Sequence, residues 1–399
     1  MNVAVPALET IQEALRDQGL DAWLLYDFRG SNPLFARILG AGVSGRLTTR
    51  RRFLMIPVLG DPVLLVHSIE AGSHAWPWSL RSYTGHASLL TELHMLTHPA
   101  RRVAVEYSPG CAIPYASYVD GGTLDVLRAL GLELVSSENV VQMALARWDE
   151  AALSSHQEAA RLVDDVLRHA FAYVQSSVRD GREPTEYEIQ QRIRADFDQH
   201  GLVTAHDPDI AVNAHSGNPH YSPDADTSSP MCAGDWLLID LWARLDRPGS
   251  VYADITWVAC LADAPTAEQQ HVFATVVAAR DLGLRIMQDA AATHRVLSGW
   301  EVDRGVRDFL TGAGYGEYFT HRTGHSLSPE ALHGDGVCLD DFETHDTRLL
   351  LPGVGVTIEP GIYQSHFGVR SEINVYMDTE GPRIFTPVQD HVVCLPVRA

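Results

Sequence analysis

Residues 353–377 read GVGVTIEPGIYQSHFGVRSEINVYM, and an earlier stretch, residues 235–260, reads DWLLIDLWARLDRPGSVYADITWVAC. Both are rich in the β-branched and aromatic residues of strands, yet each carries acids inside its apolar runs: Glu359 and Glu372 in the first, Asp240 and Asp254 in the second. The period of two along a strand puts Asp254 and Thr256 on one face. The stretches echo each other. Gly234 to Asp240 and Gly353 to Glu359 are both six residues, the partner acids follow after 14 and 13, and both second acids precede Ile. The echo predicts two half-units, each presenting a pair of carboxylates at the ends of adjacent strands.

A carboxylate inside an apolar strand is costly unless it is paired, hydrogen-bonded or bound to a cation. The one obvious base beside the four acids is Arg370, two residues before Glu372 and on the same strand face. It reads as an ion-pair partner of Glu372. One arginine cannot neutralise four carboxylates, whereas two divalent cations can. The segment THRTGHSLS (320–328) adds an imidazole, His325, after Gly324, which permits close backbone approach. Four oxygen donors and one nitrogen favour Mn(II), with Co(II) or Zn(II) as alternatives, over thiolate-seeking metals.

Working outward, 399 residues suggest two or three domains. The charge balance is 30 − 51 = −21, with 45% hydrophobic residues. That composition argues against disorder, and the sign of the field argues against nucleic-acid or membrane-surface partners. Five cysteines, none in a C-x-x-C pair, suggest neither a disulfide framework nor a thiolate zinc site. The opening VPALETIQEALRDQGLDAW is an acidic amphipathic helix pattern, and no stretch approaches a membrane span, so a cytoplasmic protein is expected.

The first part alternates helix and strand signals: a helix near 7–19, AWLLY, FLMIPV and VLLVH, RRVAVEY, a helix near 121–130, then LELVS. From about residue 148 a long helix begins, with Val163, Leu167, Phe171 and Val174 at helical spacing. The expected organisation is an α/β domain over 1–148 and a second domain over 149–399. Capping boxes at Thr185/Glu188, Thr266/Gln269 and Ser298/Glu301 mark three helix starts in the second.

The ordered set of Asp240, Asp254 in ADIT, His325 in HRTGH, Glu359 in TIEPGIY and Glu372 in VRSEI resembles the dinuclear metallopeptidases of the pita-bread fold, the family of aminopeptidase P, prolidase and methionine aminopeptidase. The likeness covers roughly residues 150–399. The preceding residues resemble the N-terminal domain of aminopeptidase P, prolidase and creatinase, which disfavours methionine aminopeptidase. The resemblance implies a mixed α/β (α+β) chain, with a creatinase-like N-terminal domain before a pita-bread domain of two pseudo-symmetric halves.

It further implies that Asp240 and Asp254 hold one metal ion, that His325 and Glu359 hold the other, and that Asp254 and Glu372 bridge them around a hydroxide. His220 in NPHYSP and His333 in ALHGD match histidines that contact the scissile carbonyl, Glu359 matches the proton carrier, and Arg370 is implied to support the ligands from behind or to clamp a carboxylate, since a guanidinium fork suits bidentate recognition. The implied enzyme is an Xaa-Pro dipeptidase (prolidase) acting on small peptides with proline in second position, as a homodimer or tetramer. Its alternative is an Xaa-Pro aminopeptidase acting on longer peptides. A creatinase-like amidinohydrolase lacks the five ligands, and an inactive binding scaffold has no chemical reason to keep them. Two departures from the family bear on specificity. The Asp240–Asp254 connection is longer and carries Trp242 where a glycine usually stands, and His333 follows His325 by eight residues, one more than usual.

Overall fold

The computed structural model describes residues 6–40, 48–72 and 76–397, and the chain divides into two compact units, Met1–Leu145 and Ala146–Ala399. In the first, strands β1 (Ala22–Phe28), β2 (Arg51–Pro57), β3 (Val63–His67), β4 (Ser79–Tyr83), β5 (Arg102–Val105) and β6 (Glu133–Ser136) form one mixed sheet, in the order β4-β3-β2-β1-β5-β6. Helices α1 (Leu8–Asp17), α2 (His86–Thr97) and α3 (Gly121–Ala129) belong to the same unit. Leu24 and Tyr26 of β1 join Phe53 and Leu65 in a core with Leu89 and Leu93 of α2 and Leu127 of α3. Trp23 and Leu25, on the opposite face of β1, are also fully buried, which is why AWLLY reads as a continuous apolar run rather than an alternating one. The strand β4 escapes a reading by pattern because SLRSY is largely polar and exposed.

The second unit begins with α4 (Glu150–Arg179), capped by Asp149, whose carboxylate accepts from Ala152 N at 2.8 Å. The three helix starts read from sequence are those of α5 (Glu186–Gln199), α6 (Ala267–Ala292) and α7 (Gly299–Gly312), with reciprocal capping boxes at α6 and α7, whereas at α5 Thr185 caps alone and Glu188 accepts from Tyr173 OH instead. Thr185 Oγ1 accepts from Glu188 N at 3.2 Å, Thr266 Oγ1 from Gln269 N at 3.2 Å, and Glu301 Oε2 from Ser298 N at 2.8 Å. Each satisfies amide donors that the first helical turn cannot pair internally.

The strands of this unit are β7 (Leu202–Val203), β8 (Asp209–Val212), β9 (Trp236–Leu245), β10 (Ala253–Cys260), β11 (Gly355–Ile358), β12 (Gly361–Tyr363), β13 (Gly368–Arg370), β14 (Ile373–Asp378), β15 (Gly381–Ile384) and β16 (Val393–Cys394). β9 and β10 form an antiparallel hairpin, with Asp240 opposite Thr256 and Trp242 opposite Asp254. The odd-numbered residues Leu237, Ile239 and Leu241 pack with Val163, Val166 and Ile193 of α4 and α5. The even-numbered Trp236 and Leu238 pack with Phe273 and Val306 of α6 and α7. Strand periodicity therefore commits Asp240, Asp254 and Thr256 to the inner face, between the two layers of helices.

The matching half is interrupted where the hairpin is not. β11 ends at Ile358 and β12 begins at Gly361, so Glu359 and Pro360 fall in a break, as expected of a proline that has no N–H for the ladder. Ser371 and Glu372 fall in a second break between β13 and β14. β11 pairs with β14 and β12 with β13, so both acids sit where two small sheets part.

Candidate metal centre

The five residues singled out as ligands meet in one place. His325 Nε2 lies 3.5 Å from both Asp254 Oδ2 and Glu359 Oε1. Asp254, His325 and Glu372 each offer a ligand atom within 4.8 Å of the other two, and all three are buried. Asp240 joins them through Thr256, whose hydroxyl is 2.9 Å from Asp240 Oδ1 and 2.8 Å from Glu372 Oε2.

Local sequence explains how this is held. The segment around His325 runs beside β11: Glu359 N donates to Thr323 O at 2.8 Å, Thr357 N to His325 O at 2.8 Å, and His325 N to Thr357 Oγ1 at 2.9 Å. Such closeness requires a glycine at 324, where a Cβ would stand 2.0 Å from Thr357 O. His325 Nδ1 contacts Ser326 O at 3.1 Å. With the proton on Nδ1, the Nε2 lone pair is turned toward the carboxylates, the tautomer a metal-binding imidazole needs.

Arg370 is directed differently from the sequence expectation. It forms its ion pair with Asp240, not Glu372, and also donates Nε to Thr256 Oγ1 at 2.9 Å and Nη1 to Tyr363 OH at 2.9 Å. Only 5% exposed, with Nε and both terminal nitrogens engaged, it orients the site rather than clamping a substrate carboxylate. Tyr363 OH also contacts His321 Nε2 at 2.7 Å. Thr256, Tyr363 and His321 form a supporting shell; the strand-face reading had placed Thr256 beside Asp254, but nothing in the sequence marked its hydroxyl as a bridge.

The electrostatics describe a place built for cations. Burial is the main cause that raises Asp254 and Glu372 well above ordinary carboxyl values, with neighbouring carboxylates adding to it. Burial likewise lifts Glu359 to about 7, against the opposing pull of Arg370. A further acid, Asp209, stands opposite Asp240 across the β8–β9 pair and is raised to about 7 by burial and then by Asp240. It opens β8 as Asp240 sits in β9, an acid against IAV, and that signal was there to be read. Asp254 Oδ1 and Glu372 Oε1 are buried with no hydrogen-bond partner among the described residues. Buried carboxylate oxygens without donors, beside an imidazole presenting a lone pair, fit divalent cations.

His333 packs against His325 with ring centroids 4.1 Å apart and the planes tilted by 49°, while keeping an exposed edge. Burial, followed by Arg322, His220 and His206, lowers it to about 4. His220 is exposed on the loop after β8 and close enough for its charge to be felt at His333. That loop is held from below by Glu186, fully buried at the start of α5, which accepts from Val212 N at 2.7 Å, Tyr221 OH at 2.6 Å and Ser229 N at 2.7 Å.

The model of metallopeptidase family M24 matches residues 154–379, and the chain belongs to that family. An uncharacterized peptidase of Bacillus subtilis, YqhT, is 26% identical over 65% of this chain and 67% of its own length. An uncharacterized peptidase of Staphylococcus aureus, MW1651, is 26% identical over 59% of this chain and 61% of its own. Among solved structures, dipeptidase PepE from Mycobacterium ulcerans superposes with a TM-score of 0.69 at 19% identity, over 98% of this chain and 97% of that one. Xaa-Pro dipeptidase from Bacillus anthracis gives 0.60 at 19% identity over 97% and 98%, and X-Pro aminopeptidase from Thermotoga maritima 0.58 at 21% over 96% and 99%. The chain is thus a metallopeptidase with the pita-bread fold behind an N-terminal α/β domain, and its family implies divalent metal ions.

Proposed function

We propose that this metallopeptidase is an Xaa-Pro dipeptidase acting on free small peptides with proline in second position, with two Mn(II) ions held by Asp240, Asp254, His325, Glu359 and Glu372. The observation that carries the reading is the gathering of those five side chains around two buried carboxylate oxygens, Asp254 Oδ1 and Glu372 Oε1, that no donor satisfies. Bound divalent ions supply Lewis acidity toward the peptide carbonyl and make water acidic near neutral pH.

The chain's own groups do the rest. Arg370 and Thr256 fix the Asp240 carboxylate through its two oxygens. Glu359 accepts the Thr357 hydroxyl at Oε1, 3.1 Å away, which leaves Oε2 to carry a proton from the attacking water to the departing nitrogen. His333, held against His325, and His220 on its supported loop would donate to the carbonyl oxygen as charge develops there. An Xaa-Pro bond has no N–H, so proteases that pair that donor with a strand handle it poorly, and a site built on ions and imidazoles does not need it.

Support for the dipeptidase branch comes from the likeness to solved dipeptidases, one of them an Xaa-Pro dipeptidase. The test is metal depletion and Mn(II) add-back with Ala-Pro, Ala-Pro-Ala and Met-Ala as substrates. Cleavage of Ala-Pro alone, lost on chelation and restored by Mn(II), is the expected result. Cleavage of the tripeptide but not the dipeptide transfers the assignment to aminopeptidase, and activity indifferent to chelator overturns the metal site. No helix among the described residues is long and apolar enough to cross a membrane.

A further inference from the structure

A second cluster of metal-binding side chains lies away from the centre described above, where α4 and α5 meet. His169 stands on α4, Asp196 in the last turn of α5, and His200 immediately after it. Asp196 and His200 are four apart and so share one helix face. His169 Nδ1 is 2.8 Å from Asp196 Oδ2, His200 Nδ1 is 3.2 Å from Asp196 Oδ1, and each residue offers a ligand atom within 4.8 Å of the other two. The floor beneath is rigid: Val166 and Ala170 on one helix and Ile193 and Phe197 on the other are buried in the same core cluster.

We propose that His169, Asp196 and His200 form a Zn(II) site that joins α4 to α5. Two imidazole nitrogens and one carboxylate oxygen are a donor set for zinc, and three protein ligands leave a position for water. His200 Nδ1 contacts the main-chain oxygen of Asp196 at 2.8 Å. A proton on that nitrogen leaves Nε2 with its lone pair, the arrangement in which a ligating histidine donates its other ring N–H to a carbonyl. Tetrahedral zinc with ligands at about 2.0–2.2 Å spaces its donors about 3.3–3.6 Å apart, inside the 4.8 Å over which the three residues already offer ligand atoms.

Two further observations favour a cation over a simple salt link. Among the described residues the only basic partners of Asp196 are the two imidazoles, side chains that are also metal ligands. A cavity of about 280 Å³, lined by His169, Tyr173, Arg192 and Asp196 among others, opens beside the cluster and gives the ion access and room for its water. The placement has a consequence, because α5 carries at its other end Glu186, the residue that holds the His220 loop. A clamp on the far end of α5 stiffens the support of that loop without touching the catalytic centre.

The test is equilibrium dialysis of the full chain, charged with Mn(II), against micromolar Zn(II), with zinc measured per chain. The double variant His169→Ala/His200→Ala is expected to bind one Zn(II) fewer than the parent, to keep its peptidase rate with Mn(II), and to lose a zinc-dependent rise of a few degrees in melting temperature. Both proteins keep the buried centre, so zinc exchanging there cancels in the difference. Asp196→Asn, which preserves side-chain shape, is a second variant expected to lose the same equivalent. Equal zinc content in parent and variants overturns the site and leaves an ordinary His–Asp surface network.

Discussion

Replacing Asp254 by Asn separates a structural carboxylate from one placed for cations, because the two roles predict opposite signs. The Asp254 and Glu372 carboxylates have oxygens within 4.8 Å of each other. Two full charges at that distance repel by about 3.5 kcal/mol at an effective dielectric constant of about 20. Part of this is relieved by proton uptake, as the raised carboxyls of both residues indicate, so the strain left at neutral pH is smaller and grows as the solution becomes alkaline. Asp254 Oδ1 accepts no hydrogen bond, and Asn keeps the shape of Asp, so little is lost on substitution. Metal-free Asp254→Asn is therefore expected to be more stable than the parent by about 1–2 kcal/mol at pH 8, a rise of about 2–4 °C in Tm. Saturating Mn(II) should reverse the order, since binding at 100 times Kd stabilises the parent by about 2.7 kcal/mol and the variant has lost a ligand. Thermal unfolding with chelator and with Mn(II), alongside hydrolysis of Ala-Pro, checks all three quantities. A variant less stable than the parent without metal, or one that gains as much from Mn(II), refutes the reasoning.

Other outcomes follow from the same geometry. Arg370→Met should weaken Mn(II) binding by about 10–100-fold, as loss of a ligand's supporting partner does, measured by metal titration; unchanged affinity would show that Asp240 is oriented by Thr256 alone. Gly324→Ala places a Cβ 2.0 Å from Thr357 O and should cost about 1–3 kcal/mol in urea unfolding while displacing His325 and lowering metal content. In the N-terminal unit, burial raises Glu106 to about 7 although Trp23 Nε1, Asn32 Nδ2 and Tyr26 N all donate to it. The folded chain then keeps a proton that the unfolded chain releases near pH 4.5, so stability falls as pH rises from about 4.5 to 7, by up to about 3 kcal/mol. Glu106→Gln should flatten that slope in pH-dependent unfolding of the full chain; an unaltered slope would assign it to another group.

The elements were legible where the local signal was strong. Apolar runs gave the hairpin of β9 and β10, capping boxes gave three helix starts, and the helical spacing of Val163, Leu167, Phe171 and Val174 marked the buried stripe of α4. Pattern failed where the backbone is shaped by contacts far along the chain. TIEPGIY reads as one strand, yet Pro360 and the crossing of two small sheets divide it, and that division turns Glu359 inward. Glu372 stands out as one candidate ion-pair partner of Arg370 because proximity in sequence is the only proximity a sequence shows; the partner in the structure, Asp240, is 130 residues away.

By itself the sequence determined that this protein has a pair of strand units each carrying two acids, since burial of a charge is costly whatever the surroundings and cannot arise four times without compensation. It also pointed to divalent cations, because ligand chemistry belongs to the residue types, and membership of the metallopeptidase family implies them. Only the tertiary structure decided how the four acids divide their support. The pairing of β8, β9 and β10 lines up Asp209, Asp240 and Thr256 across one face, and the break before β14 brings Glu372 to the same hydroxyl. These are relations between strands distant in the chain, set by register and packing, and no local preference encodes them.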